Sequence, residues 1–115
     1  HVECVLALLE RGATIDHVGQ HGITALMLAS RNGRAACVSA LLERGAAVNH
    51  EDQNGYTALM LASREGRAAC VSALLAGGAA VNHVNHTKRG GETALILASR
   101  EGHAPCVLAL LERGA

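Results

Sequence analysis

Residues 24–30 read "TALMLAS", residues 57–63 read the same, and residues 93–99 read "TALILAS". A catalytic motif rarely needs copies. A structural unit that must stack on its neighbours does. Cys4, Cys37 and Cys70 are 33 residues apart, and Cys106 follows after 36. Thr24, Thr57 and Thr93 keep the same two spacings, and Val48-Asn49-His50 returns as Val81-Asn82-His83. One period governs the chain, with three extra residues between about Asn85 and Gly91. A fixed period of this length is the signature of a solenoid.

Within one period the pattern predicts two short helices and a loop. Thr57 is a good N-cap, since its hydroxyl can accept from an orphan N–H of the next turn. A first helix is expected over Ala58 to Glu65, ended by the positive φ that Gly66 allows. A second is expected over Ala68 to Ala76, where Val71, Leu74 and Leu75 form one apolar stripe. Gly77 and Gly78 stop it, and "AAVNHEDQNGYT" (79 onward, by its equivalent at 46–57) carries the Asn, Asp and Gly of a tight turn. Helices this short are not stable alone in water; stacked on copies of themselves they bury a continuous core.

Composition agrees with thin layers. Half of the residues are hydrophobic, yet there is no Phe or Trp, and Tyr56 is the only aromatic residue. Ten basic and ten acidic side chains cancel, which argues against bulk attraction to nucleic acid or an anionic membrane. No apolar run approaches the roughly 18 residues of a membrane span, and no secretory-signal pattern stands at the start.

The segment "DQNGYTALMLASREGRAACVSALLAGGAAVN" (52–82) resembles the ankyrin repeat family, whose pattern runs D-x-x-G-x-T-P-L-H-x-A-A-x-x-G-H, then V-x-x-L-L, then G-A-x-x-N. The resemblance covers essentially the full length. It implies an all-α, ankyrin-type solenoid of stacked helix-turn-helix repeats with projecting β-hairpin loops. Residues 1–18 are then the tail of one repeat, 19–51 and 52–84 are full repeats, and 85–115 is a repeat with the loop insertion. Neither end shows a polar capping unit, so further repeats of the same chain are expected on both sides. The chain departs from the family at its Pro and His: Ala stands for Pro, and Met27, Met60 and Ile96 stand for His. These three are expected to exchange a polar staple for apolar packing. Gly19 and Lys88 replace the usual turn Asp.

The two full repeats agree at 26 of 33 positions. The differences are Gly19/Asp52, His21/Asn54, Ile23/Tyr56, Asn32/Glu65, Glu43/Ala76, Arg44/Gly77 and Glu51/Val84. None lies on the apolar stripe. A binding scaffold holds its packing residues and varies what projects, although drift at exposed sites would leave the same pattern. By the resemblance, the partner-binding surface is the hairpin tips and the concave face of the inner helices. It maps to Gln20, His21, Ile23, Arg31 and Asn32, then to Gln53, Asn54, Tyr56, Arg64 and Glu65, then to Arg89, Glu92, Arg100 and Glu101. Tyr56 is the best single anchor if exposed, since it offers a rigid apolar face and a polar tip; the alternative is a ring lying over its own hairpin. Arg31, Arg64 and Arg100 form either a ladder for an acidic or phosphorylated peptide or a solvated face neutralised by Glu65 and Glu101. The insertion offers Lys88 and Arg89 as a further finger.

Other chemistry finds little support. Cysteines one layer apart are beyond bridging distance, no C-x-x-C pair exists for zinc, and small buried thiols suit a reducing compartment. His17, His50 and His83 form a ladder too widely spaced for one ion, and with His86 they suggest at most a pH-sensitive set of loops. No nucleophile–base pairing or phosphate-binding loop is present. The expectation is an intracellular, non-enzymatic scaffold without cofactor or metal that binds a protein or peptide, an acidic one if the arginines act together. The second reading is a structural spacer within a longer array.

Overall fold

The computed structural model describes residues 15–85 and 91–115. A 3₁₀ turn at Gln20–Gly22 precedes six helices: α1 (Ala25–Arg31), α2 (Ala35–Glu43), α3 (Ala58–Arg64), α4 (Ala68–Ala76), α5 (Ala94–Arg100) and α6 (Ala104–Glu112). They form three antiparallel-reading pairs that stack in two rows. In one row α1 packs on α3 and α3 on α5; in the other α2 packs on α4 and α4 on α6.

Each start and stop has a local cause. Thr24, Thr57 and Thr93 accept at Oγ1 from the backbone N–H of Met27, Met60 and Ile96 at 3.2–3.3 Å. At the other end of α3, Gly66 N–H donates to Ser63 O (3.3 Å) and Arg67 N–H to Ala62 O (2.8 Å). This doubled closure needs a left-handed residue, and Gly66 has φ 74°. The same pair of bonds closes α1 at Gly33 and α5 at Gly102, and the second helices close likewise at Gly45, Gly78 and Gly114. α3 ends one residue before the expected Glu65, which serves as its C-cap.

The core is a column of small and branched side chains. Val71, Leu74 and Leu75 are buried as the stripe predicts, together with Cys37, Cys70, Cys106 and Ala29, Ala58, Ala62, Ala94 and Ala98 of the first helices. Burial in this apolar column pushes the Cys70 and Cys106 thiols up from their usual range and keeps them in the protonated, unreactive form. Ser30 and Ser63 are fully buried and satisfied, each donating to the carbonyl four residues back at 2.7 Å.

Met27 and Met60 are 1% exposed, whereas Ile96 is 46% exposed. The expected apolar packing therefore holds for two of the three positions. The position is covered by the helix pair that follows, and among the described residues no helix pair follows α5 and α6.

Units are tied as well as packed. Asp16 Oδ1 accepts from Ala47 N–H (2.8 Å), and Asn49 Oδ1 from Ala80 N–H (2.7 Å), each 31 residues on. The second helices lack a side-chain cap of their own. Two of their three N-cap residues instead reach back a layer: Arg67 Nε donates to Arg31 O (3.1 Å), and His103 Nε2 sits 3.0 Å from Arg64 O, a contact that places its proton on Nε2. Helix ends leave carbonyls without intrahelical partners, and here the next layer supplies the donor.

The loops differ from the expected β-hairpins. Among the described residues no ladder forms, and each projecting loop is closed by a backbone pair. Gly19 N–H donates to Ile23 O and Asp52 N–H to Tyr56 O, both at 2.9 Å. In the third loop the equivalent pair is Asn85 with Glu92, exchanging two bonds of 2.8 and 3.2 Å as an isolated antiparallel bridge. Asn85, not Lys88, thus holds the turn position of Asp52, because the extra residues enter after the turn has opened. Lys88, Arg89 and His86 lie outside the described residues.

Candidate partner-binding face

The first two loops solve the same turn differently. Asp52 Oδ1 accepts from Asn54 N–H (2.8 Å) and Tyr56 N–H (2.9 Å), so the side chain braces the loop from within. Gly19 has no such acceptor. Its loop winds into the 3₁₀ turn, which puts His21 at φ 62° and Gly22 at φ 78°. The His21 carbonyl then accepts from Gln53 N–H at 2.9 Å, linking one loop to the next. His50 Nε2 lies 3.3 Å from Gly22 O, a further cross-loop contact.

Between these loops and the ends of α1 and α3 lies a cleft of about 230 Å³. His21, Ile23 and Arg31 form one wall, and Asp52, Asn54, Tyr56, Leu61 and Arg64 form the other. Six of these eight belong to the surface expected from the sequence. Asp52 and Leu61 were not expected there. Asp52 carried a signal, since it is one of the seven differing positions; Leu61 sits inside the repeated phrase and carried none. A second hollow of about 290 Å³ on the far side of Arg31 is lined by Gln20, His21, Ile23 and Leu28 among others.

Tyr56 is not the exposed anchor. Its residue is only 8% exposed, and its hydroxyl donates to Glu92 Oε1 at 3.0 Å. Glu92 is equally buried and takes Arg100 Nη2 on its other oxygen at 2.5 Å. The Arg64 guanidinium lies over the Tyr56 ring, 5.2 Å from its centre, within cation–π range. The ring therefore leans toward the following layer instead of lying over its own hairpin. Burial, and then the Glu92 carboxylate, push the Tyr56 hydroxyl above its usual value, with Arg64 opposing them. Glu92 likewise belongs to the packed interior, because the phenol and the guanidinium compensate its charge.

The three equivalent arginines do not form a uniform ladder. Arg100 is held by Glu92, and Arg64 pairs with Glu65 at 3.1 Å. Among the described residues no carboxylate stands within ion-pair distance of Arg31. Gln20, His21, Asn32, Gln53, Asn54, Glu65, Arg100 and Glu101 are exposed, and Ile23, Arg31 and Arg64 are half-buried. Arg89 lies outside the described residues. Among the described residues no three His, Cys, Asp or Glu side chains converge as a metal site, and no helix is long and apolar enough to cross a membrane.

A family model described as ankyrin repeats (three copies) matches residues 1–85 and again 44–115, which together span the chain. The chain belongs to the ankyrin repeat family. No curated protein matches it. Ankyrin repeats are generally protein–protein interaction modules and typically non-enzymatic scaffolds. In this ankyrin array the cleft is lined by the first two loops and by α1 and α3, and by no residue of the α2–α4–α6 row.

Proposed function

We propose that the chain is a docking scaffold that receives a segment of a partner protein along the loop tips and the inner-helix row. Residues 19–51, 52–84 and 85–115 act as successive units, with 1–18 the tail of another and further repeats flanking them. The observation that carries this reading is the cleft between the first two units, where six side chains from the variable positions and their neighbours converge. The contact set is Gln20, His21, Ile23, Arg31, Asn32, Gln53, Asn54, Arg64 and Glu65, with Arg89, Arg100 and Glu101 extending it. Tyr56 and Glu92 support that surface from beneath. The reducing setting that buried free thiols favour is consistent with an intracellular partner.

Immobilised chain and an Asn54→Trp variant, whose indole blocks the cleft rim, are compared for the proteins they retain. The expected result is a protein held by the parent and lost with the variant, at unchanged helical circular dichroism. Equal retention, or none by either, overturns docking at this face. It favours the spacer reading, for which the near identity of the two full repeats speaks.

A further inference from the structure

The three inner helices end in the same Ala-Ser-Arg, and each arginine has two places where a counter-charge can stand. One is the next residue. The other is the residue eight positions earlier, which the loop folds back beside it. Arg100 finds Glu92 at the second place, at 2.5 Å. Arg64 finds Glu65 at the first, at 3.1 Å, and the Tyr56 ring at the second. Arg31 has Asn32 at the first and Ile23 at the second. The residue is half-buried, lines both hollows, and lacks a carboxylate partner among the described residues.

On the docking reading above, we infer that the cleft takes an aspartate or glutamate side chain of the partner, gripped by the Arg31 guanidinium. A guanidinium presents two parallel N–H donors that match a carboxylate, and it stays charged at any working pH. Ile23, half-buried at the cleft wall, supplies an apolar contact for the acid's methylene stem. The charge count selects a single negative charge over a phosphate. Arg64 is already neutralised by Glu65, and the Asp52 carboxylate stands on the facing wall. Arg31 is then the one cleft arginine without a carboxylate at its side, and Asp52 repels a phosphate dianion about twice as strongly as a carboxylate.

The test is a random peptide library displayed on phage and selected on the 115-residue chain. The strongest peptide is synthesised as selected, with each acid replaced by its amide, and with each acid replaced by phosphoserine. One acid-to-amide change and Arg31→Gln should each weaken binding about tenfold, and together no more than either alone. Glu112→Gln, an exposed acid at the end of α6 outside the contact set, serves as a control and leaves binding within about twofold. Peptides displaced by Asn54→Trp but indifferent to Arg31→Gln overturn the acid-binding inference while docking at the cleft stands. Peptides indifferent to both variants, or a selection that yields none, overturn both. A phosphoserine peptide that binds more tightly than the acid overturns the assignment to a carboxylate.

Discussion

Gly19 and Asp52 occupy one position in two turns, and the difference between them is a carboxylate. Asp52 satisfies two backbone N–H groups at 2.8 and 2.9 Å; Gly19 satisfies none, and its loop forces His21 into the left-handed region. A Cβ at Gly19 meets only the Ile23 carbonyl at 3.5 Å, an ordinary contact. Gly19→Asp should therefore raise stability by about 1 kcal/mol, read as a higher urea midpoint at unchanged slope. Tyr56 makes the opposite case. Tyr56→Phe deletes a donor to a buried carboxylate and should cost about 1–2 kcal/mol. It should also alter the alkaline limb of stability. The folded hydroxyl titrates above its unfolded value of about 10. Its contribution is then complete below that pH and is lost as pH rises through the folded value. Parent minus Phe variant, measured by denaturation at stepped pH, should be constant at neutral pH and shrink above pH 10.

Helix boundaries were legible because their causes lie within a few residues. A threonine before an apolar run, and a glycine after it, name the cap and the closure without knowledge of any other layer. Tyr56 was illegible for the converse reason. Its partner Glu92 is 36 positions away, across an insertion, and only stacking brings them together. The turn role of Asn85 was hidden by the same insertion, since counting back from Thr93 lands on Lys88 and counting forward from Asp52 lands on Asn85. At the level of elements, Gly66 serves two masters. It ends α3 at φ 74°, and a Cβ there would lie 2.6 Å from the His103 ring of the next layer. Gly66→Ala should cost about 2 kcal/mol or more. In a His103→Ala background the cost should fall by about half, because only the backbone strain is left; a double-mutant cycle of denaturation midpoints measures the difference.

Across the whole molecule, burial depends on having a neighbour on both sides. Met60 is 1% exposed and Leu75 7%, while their equivalents Ile96 and Leu111 are 46% and 49% exposed. Met60→Gln should cost about 3 kcal/mol, and Ile96→Gln less than about 1 kcal/mol, in paired thermal melts. Native-state hydrogen exchange should show α5 and α6 opening at lower free energy than α3 and α4. The repeat architecture was legible at this scale from the period alone. Six of the eight cleft residues were legible as well; Asp52 and Leu61 were not, because one reads as turn-forming and the other as core, and only stacking sets them opposite His21 and Arg31 of the preceding layer.

Asn85 and Glu92 are knotted together by a reciprocal pair of backbone bonds. Strand residues bonded this way hold their Cα atoms about 5.5 Å apart. Whatever polypeptide is spliced between them starts and finishes at the same two points, so its length never reaches the layers beneath. An epitope, a fluorophore-binding tag or a protease site could be exchanged there as a cassette, leaving the register of the array as it was.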